Sequence, residues 1–113
     1  MPSHKVQSLN ELNFDAVVSK TIRPMLVDFT AAWCPPCKVQ SAILDRLAED
    51  DQVVIAAVDV DECPELAARF GIRGMPTLLA FENGRETGRH LGLTKEQGIR
   101  ALLTGPGPGF TSG

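Results

Sequence analysis

A chain of 113 residues suits one domain, and a domain of this size buries a core without needing disulfide staples. Hydrophobic residues make up 43% and charged residues 22%, which excludes disorder as the main state and excludes a low-complexity or collagen-like chain. Eleven basic against fourteen acidic residues leave a net charge of −3, with no basic stripe for nucleic acid, and no apolar run approaches the ~18 residues of a membrane-spanning helix.

Met1 to Asn10 has no apolar core behind a positive charge, so the N-terminus reads as free of a signal peptide. Val6 falls in a short first strand. Ser8 and Glu11 match a capping box ahead of a helix whose apolar positions are Leu12, Phe14, Ala16, Val17 and Val18. Met25 to Phe29 is an apolar run holding one acid, Asp28, and reads as a strand buried on both faces. Pro35 and Pro36 suit the first turn of a helix, where a missing N–H costs little. That helix places Val39, Ala42, Ile43 and Leu47 on its apolar face and Lys38, Ser41, Asp45 and Glu49 elsewhere.

Val53 to Val58 predicts a third strand. Pro64 opens a short helix carrying Leu66, Ala67 and Phe70, and Gly71 ends it. Thr77 to Phe81 predicts a fourth strand, Asn83-Gly84 a tight hairpin turn, and Glu86 to Leu91 the return strand. Thr94 and Gln97 match a second capping box, before a last helix through Ile99, Leu102 and Leu103. From Thr104 the sequence TGPGPGFTSG lacks apolar periodicity, so residues 1–104 are expected to form the domain and 105–113 a flexible Gly/Pro-rich tail. Strands separated by helices imply right-handed crossovers and a parallel part of the sheet, and the closing hairpin adds an antiparallel part. The expected fold is α/β, a mixed five-stranded sheet with helices on both faces, its strand order left open by periodicity.

The chemistry-bearing segment is Trp33-Cys34-Pro35-Pro36-Cys37-Lys38, with the third cysteine apart at Cys63. A Cys-X-X-Cys pair at a strand-to-helix junction puts the first sulfur at a helix N-terminus, where exposed N–H groups and the helix dipole favour a thiolate. The second sulfur lies one turn in, within reach of a disulfide. Half of a zinc site is the competing reading, but structural zinc takes about four ligands, and only Cys63, His4 and His90 remain, none in paired spacing. A redox motif is therefore favoured.

With these residues the chain resembles the thioredoxin family from about Val6 to Leu103. Leu26-Val27-Asp28-Phe29 resembles the buried-acid strand, Trp33 to Lys38 the active-site signature, Phe70 to Thr77 (FGIRGMPT) the cis-proline segment, and Gly92 the glycine after the last strand. The resemblance implies that Cys34 attacks a substrate disulfide and that Cys37 resolves the mixed disulfide. It implies that Asp28 moves a proton on or off Cys37 through water, and that Pro76 is cis so that the Met75 backbone pairs with an extended substrate. Trp33, Gly74, Met75 and Gly92 then form an apolar rim. Pro35, Pro36 and Lys38 are expected to tune the site. Three residues depart from the family pattern: Pro35 where Gly is usual, Thr30 where a second tryptophan is frequent, and Ala57 where many bacterial members carry a lysine beside the buried acid.

Outside the motif the readings are plainer. An acid inside Met-Leu-Val-Asp-Phe is costly to bury without purpose, which favours function for Asp28 over exposure at a bulged edge. Cys63 reads as a small, partly buried residue ahead of a helix. His4, His90 and Arg73 read as surface residues. The expectation is a monomeric, cytoplasmic protein-disulfide reductase with no bound cofactor or metal. Its expected partners are disulfide-containing proteins and an NADPH-dependent, flavin-containing thioredoxin reductase, with no nucleic acid and no membrane. A more oxidising disulfide oxidase or isomerase, and a binding module in which redox is incidental, are the alternatives.

Overall fold

The computed structural model describes residues 5–50 and 53–104. The expected tail at 105–113, and His4, lie outside the described residues. The elements follow in the order β1 (Val6–Leu9), α1 (Phe14–Lys20), β2 (Met25–Thr30), α2 (Pro35–Leu47), β3 (Val54–Asp59), α3 (Pro64–Arg69), β4 (Thr77–Glu82), β5 (Arg85–Leu91) and α4 (Glu96–Thr104). They form one five-stranded sheet in the order β1-β3-β2-β4-β5. β3 pairs in parallel with both β1 and β2, while β2–β4 and β4–β5 are antiparallel. The fold is the mixed α/β sheet expected from the sequence.

Strand alternation sorts the core into two layers. Met25, Val27 and Phe29 of β2 pack with Phe14 and Val18 of α1 and Leu66 of α3. On the other face, Leu26 packs with Leu44 of α2, Ile55, Leu78 and Ile99 of α4. Helices thus cover both faces, and Asp28, two residues from Leu26, belongs to the α2 side. The hairpin turns at Asn83 (φ 53°) and Gly84 (φ 82°), the left-handed pair that a two-residue type I′ loop requires.

Three local expectations are corrected. Ser8 lies within β1, and no Ser8–Glu11 box forms. Instead Asn10 and Asn13 cap each other: Asn10 Oδ1 accepts from the Leu12 and Asn13 N–H groups, and Asn13 Oδ1 accepts from the Asn10 N–H at 2.7 Å. Glu11 is freed to cap α3, its Oε2 accepting from the N–H groups of Glu65 (2.6 Å) and Leu66 (3.2 Å). The second correction concerns α2, which buries Cys37, Gln40 and Leu44, while Val39 is half exposed and Ala42 exposed. Small apolar side chains define a helix face weakly, and seating Leu44 with Leu26, Ile55 and Leu78 of the sheet, and Cys37 among Ala31, Val60 and Met75, sets the rotation. Ser41 and Asp45 are thereby half-buried. The third is the start of α4: in place of a Thr94–Gln97 box, the backbone of Thr94 is held from α2 by Gln40.

Candidate active site

β2 runs out at Thr30 in the middle of the sheet, and the chain turns through Ala31 to Trp33 into α2. Cys34 is the N-cap of α2, and Pro35 and Pro36 occupy its first two positions. Neither proline has an N–H to offer. The first helical donor is therefore Cys37, whose N–H points at Cys34 Sγ, 3.3 Å away. The Cys37 and Lys38 N–H groups also donate to the Cys34 carbonyl. The two sulfurs are joined as a disulfide, with Cα atoms 5.2 Å apart. Cys34 is 4% exposed and Cys37 1%, so the first sulfur is the more accessible of the pair.

The cis-proline segment reaches the sulfurs from β4. The Met75–Pro76 bond is cis, and the Met75 carbonyl oxygen lies 3.8 Å from Cys34 Sγ. Ala31, Cys34 and Cys37 form one small cluster with Val60 and Met75 packed against it. Behind Met75, the Thr77 hydroxyl donates to the Gly74 carbonyl at 2.6 Å. The Gly92 N–H donates to the Pro76 carbonyl at 2.8 Å, and Gly92 sits at φ +100°, a backbone conformation that favours glycine. A Cβ at Gly74 would press on Leu91 Cδ1 at 3.3 Å, which ties the cis-proline loop to the end of β5.

Trp33 is 64% exposed beside the dithiol, and its indole N–H donates to Asp61 Oδ2 at 2.7 Å. Sequence reasoning passes over Asp61, because nothing in its local pattern marks it as the partner of a residue 28 positions earlier. Lys38 and Arg73 are exposed, as is His90. Cys63 is fully buried in the main core, where burial and nearby carboxylates push its thiol up and its Sγ meets the Leu9 carbonyl at 3.9 Å.

Asp28 is 2% exposed. Its Oδ1 has no hydrogen-bond partner, and burial pushes the carboxyl up to about 7. It lines a cavity of about 190 Å³ with Ser8, Ser41, Leu44, Asp45 and Ala57. Cys37 lines a separate, larger hollow of about 710 Å³ that also includes Ser41 and Asp45. Asp28 and Cys37 share no hydrogen bond; Ser41 and Asp45 stand between their two spaces. The sequence pattern places both of these residues off the apolar face of α2, and their actual position follows from the corrected rotation of that helix. Among the described residues, no group of three or more His, Cys, Asp or Glu side chains could hold a metal ion, and no helix is long and apolar enough to cross a membrane.

A family model described as "Thioredoxin" matches residues 5–105. The thioredoxin of Alicyclobacillus acidocaldarius is 38% identical over 98 residues, covering 85% of this chain and 92% of that protein. The thioredoxin of Echinococcus granulosus is 42% identical over 80 residues, covering 70% of this chain and 74% of that protein. Among solved structures, a point-mutant thioredoxin from Halobacterium salinarum NRC-1 superposes with a TM-score of 0.80 at 32% identity, covering 91% of this chain and 92% of the other.

Proposed function

The chain belongs to the thioredoxin family and is a thiol-disulfide oxidoreductase acting on protein disulfides, and from that premise we propose the division of labour within its site. Cys34 is the attacking group. Its thiolate takes one sulfur of the substrate disulfide, forming a mixed disulfide and releasing the other sulfur as a thiolate. The Cys37 N–H aimed at Cys34 Sγ, at the dipole-bearing end of α2, supports the charge. Asp28 accepts the Cys37 proton through water in the space flanked by Ser41 and Asp45. Cys37 then attacks Cys34 Sγ, expels the second substrate thiolate and leaves the Cys34–Cys37 disulfide.

Met75, next to cis-Pro76, presents its carbonyl beside Cys34, where an extended substrate strand can pair with it. Trp33, Gly74 and Gly92 form the surrounding rim, and Pro35, Pro36 and Lys38 tune the dithiol. Two electrons from an NADPH-dependent thioredoxin reductase restore the dithiol. A dithiol kept reduced suits a cytoplasmic protein.

The observation that carries this reading is the disulfide-linked pair at the α2 N-cap with the Met75–Pro76 bond against it. It is tested by reduction of insulin with dithiothreitol as electron source. The parent protein accelerates the reaction and Cys34→Ser does not; equal rates for the two would remove Cys34 from the chemistry.

A further inference from the structure

Position 40 follows Cys37 by three residues and shares its buried helix face with Leu44 and Ala48. A glutamine there is fully buried, at 0% exposure. A buried amide is costly unless both its donor and its acceptor are paired. Gln40 pairs both with the same residue: its Nε2 donates to the Thr94 carbonyl at 3.0 Å, and its Oε1 accepts from the Thr94 N–H at 2.8 Å. An aliphatic side chain would fill the same volume but leave those backbone groups unpaired, so burial alone does not call for glutamine.

Thr94 lies two residues after Gly92. The segment between them is therefore anchored at both ends, by Gly92 to the Pro76 carbonyl and by Thr94 to α2. Room for this arrangement is reserved: a Cβ at Gly98 would collide with the Thr94 hydroxyl. On the anchored segment Leu93 is 43% exposed, and Leu91, the last residue of β5 immediately before it, is 65% exposed, two apolar side chains displayed beside the dithiol rim.

We propose that Gln40 is a positioning residue for substrate docking: its amide locks the Leu91–Leu93 wall to the helix that carries both sulfurs, so that a protein substrate meets a preformed groove. This rests on the reading of Gly92 as part of the substrate rim. The amide's hydrogen bonds go to Thr94 and to neither sulfur, so its effect falls on binding and not on the chemical step. If the wall holds its competent arrangement only about a fifth of the time once released, apparent affinity falls roughly fivefold.

The test compares insulin with 5,5′-dithiobis(2-nitrobenzoate), a small disulfide that needs little of the wall. Gln40→Met is expected to raise KM for insulin roughly fivefold. It leaves kcat, the small-disulfide rate and the dithiol midpoint unchanged. Gln40→Glu supplies the rescue and covers the case in which Gln40→Met does not fold. A protonated carboxyl reproduces the donor and the acceptor, and an ionised one loses the donor. Its insulin KM relative to the parent should be close to one at pH 5 and rise by pH 8. An unchanged insulin KM in Gln40→Met, a pH-independent ratio in Gln40→Glu, or equal losses on both disulfides overturns the proposal. A parent protein inactive on insulin overturns the functional reading instead, whatever the variants do.

Discussion

Asp28 on β2 and Ala57 on β3 are parallel partners in register, and Ala57 lines the cavity into which the carboxylate is buried without bringing a cation to it. Desolvation is the only cause acting on that carboxyl, and it raises the folded value to about 7. The unfolded value is about 3.9, so between the two the folded protein holds more protons than the unfolded chain. Stability falls as pH rises through that window and stays low above it. Across about three pH units, at about 1.36 kcal/mol each, the penalty is on the order of 4 kcal/mol.

Asp28→Asn removes that penalty. In the oxidised protein, urea unfolding should show the variant more stable than the parent at pH 8 by roughly 2–4 kcal/mol, with the gap closing near pH 4. On the proposed role of Asp28 as proton acceptor, insulin reduction by the variant at pH 7 should slow by about tenfold or more. A variant less stable than the parent at pH 8 and equally fast contradicts both halves.

Pro35 occupies the first position of α2 and removes one N–H from the group of donors around Cys34. It also stiffens the loop between the cysteines, which favours closure of the disulfide. Both effects make the couple more reducing. Pro35→Gly should shift the midpoint towards oxidising values by a few tens of millivolts, at about 1.4 kcal/mol per 30 mV. Equilibration against glutathione reads the shift, and a move in the reducing direction would show that the loop proline acts otherwise.

Trp33 is the only tryptophan, directly precedes Cys34, and is fixed by Asp61. A disulfide beside an indole quenches it, so reduction should brighten the emission. Asp61→Ala should weaken this redox response by releasing the ring. Identical spectra from the oxidised and reduced parent protein would mean that the indole packs away from the sulfurs.

Glu11 caps α3 from across the chain. Glu11→Ala leaves the Glu65 and Leu66 N–H groups without that partner and should cost about 1 kcal/mol, a typical value for loss of a helix cap. Chemical denaturation measures it; an unchanged midpoint would mean that water replaces the cap at no cost.

Most of the sheet was legible because β2, β3 and β4 are short apolar runs, β2 and β4 opening directly after Pro24 and Pro76 and β3 set between acidic stretches, and Asn83-Gly84 admits essentially one turn. The dithiol was legible because Cys34 and Cys37 sit at a proline-marked helix start. Contacts between residues distant in the chain were not. Glu11 looked like a local cap and serves a helix more than fifty residues away. Gln40 goes unmarked in the sequence reading, since two small apolar side chains, Val39 and Ala42, draw the predicted face of α2 away from it. One signal did exist: positions 37, 40, 44 and 48 recur at helical spacing, and a glutamine inside such a stripe needs a partner for both ends of its amide.

The central claim is that Cys34 forms the covalent bond to substrate and Cys37 resolves it. Cys37→Ser, freshly reduced and mixed with a disulfide-containing protein, should accumulate a mixed disulfide. Peptide mass analysis should place it on Cys34, and Cys34→Ser should give none. An adduct found on Cys63 with Cys34 free, or no adduct from Cys37→Ser at all, would contradict it.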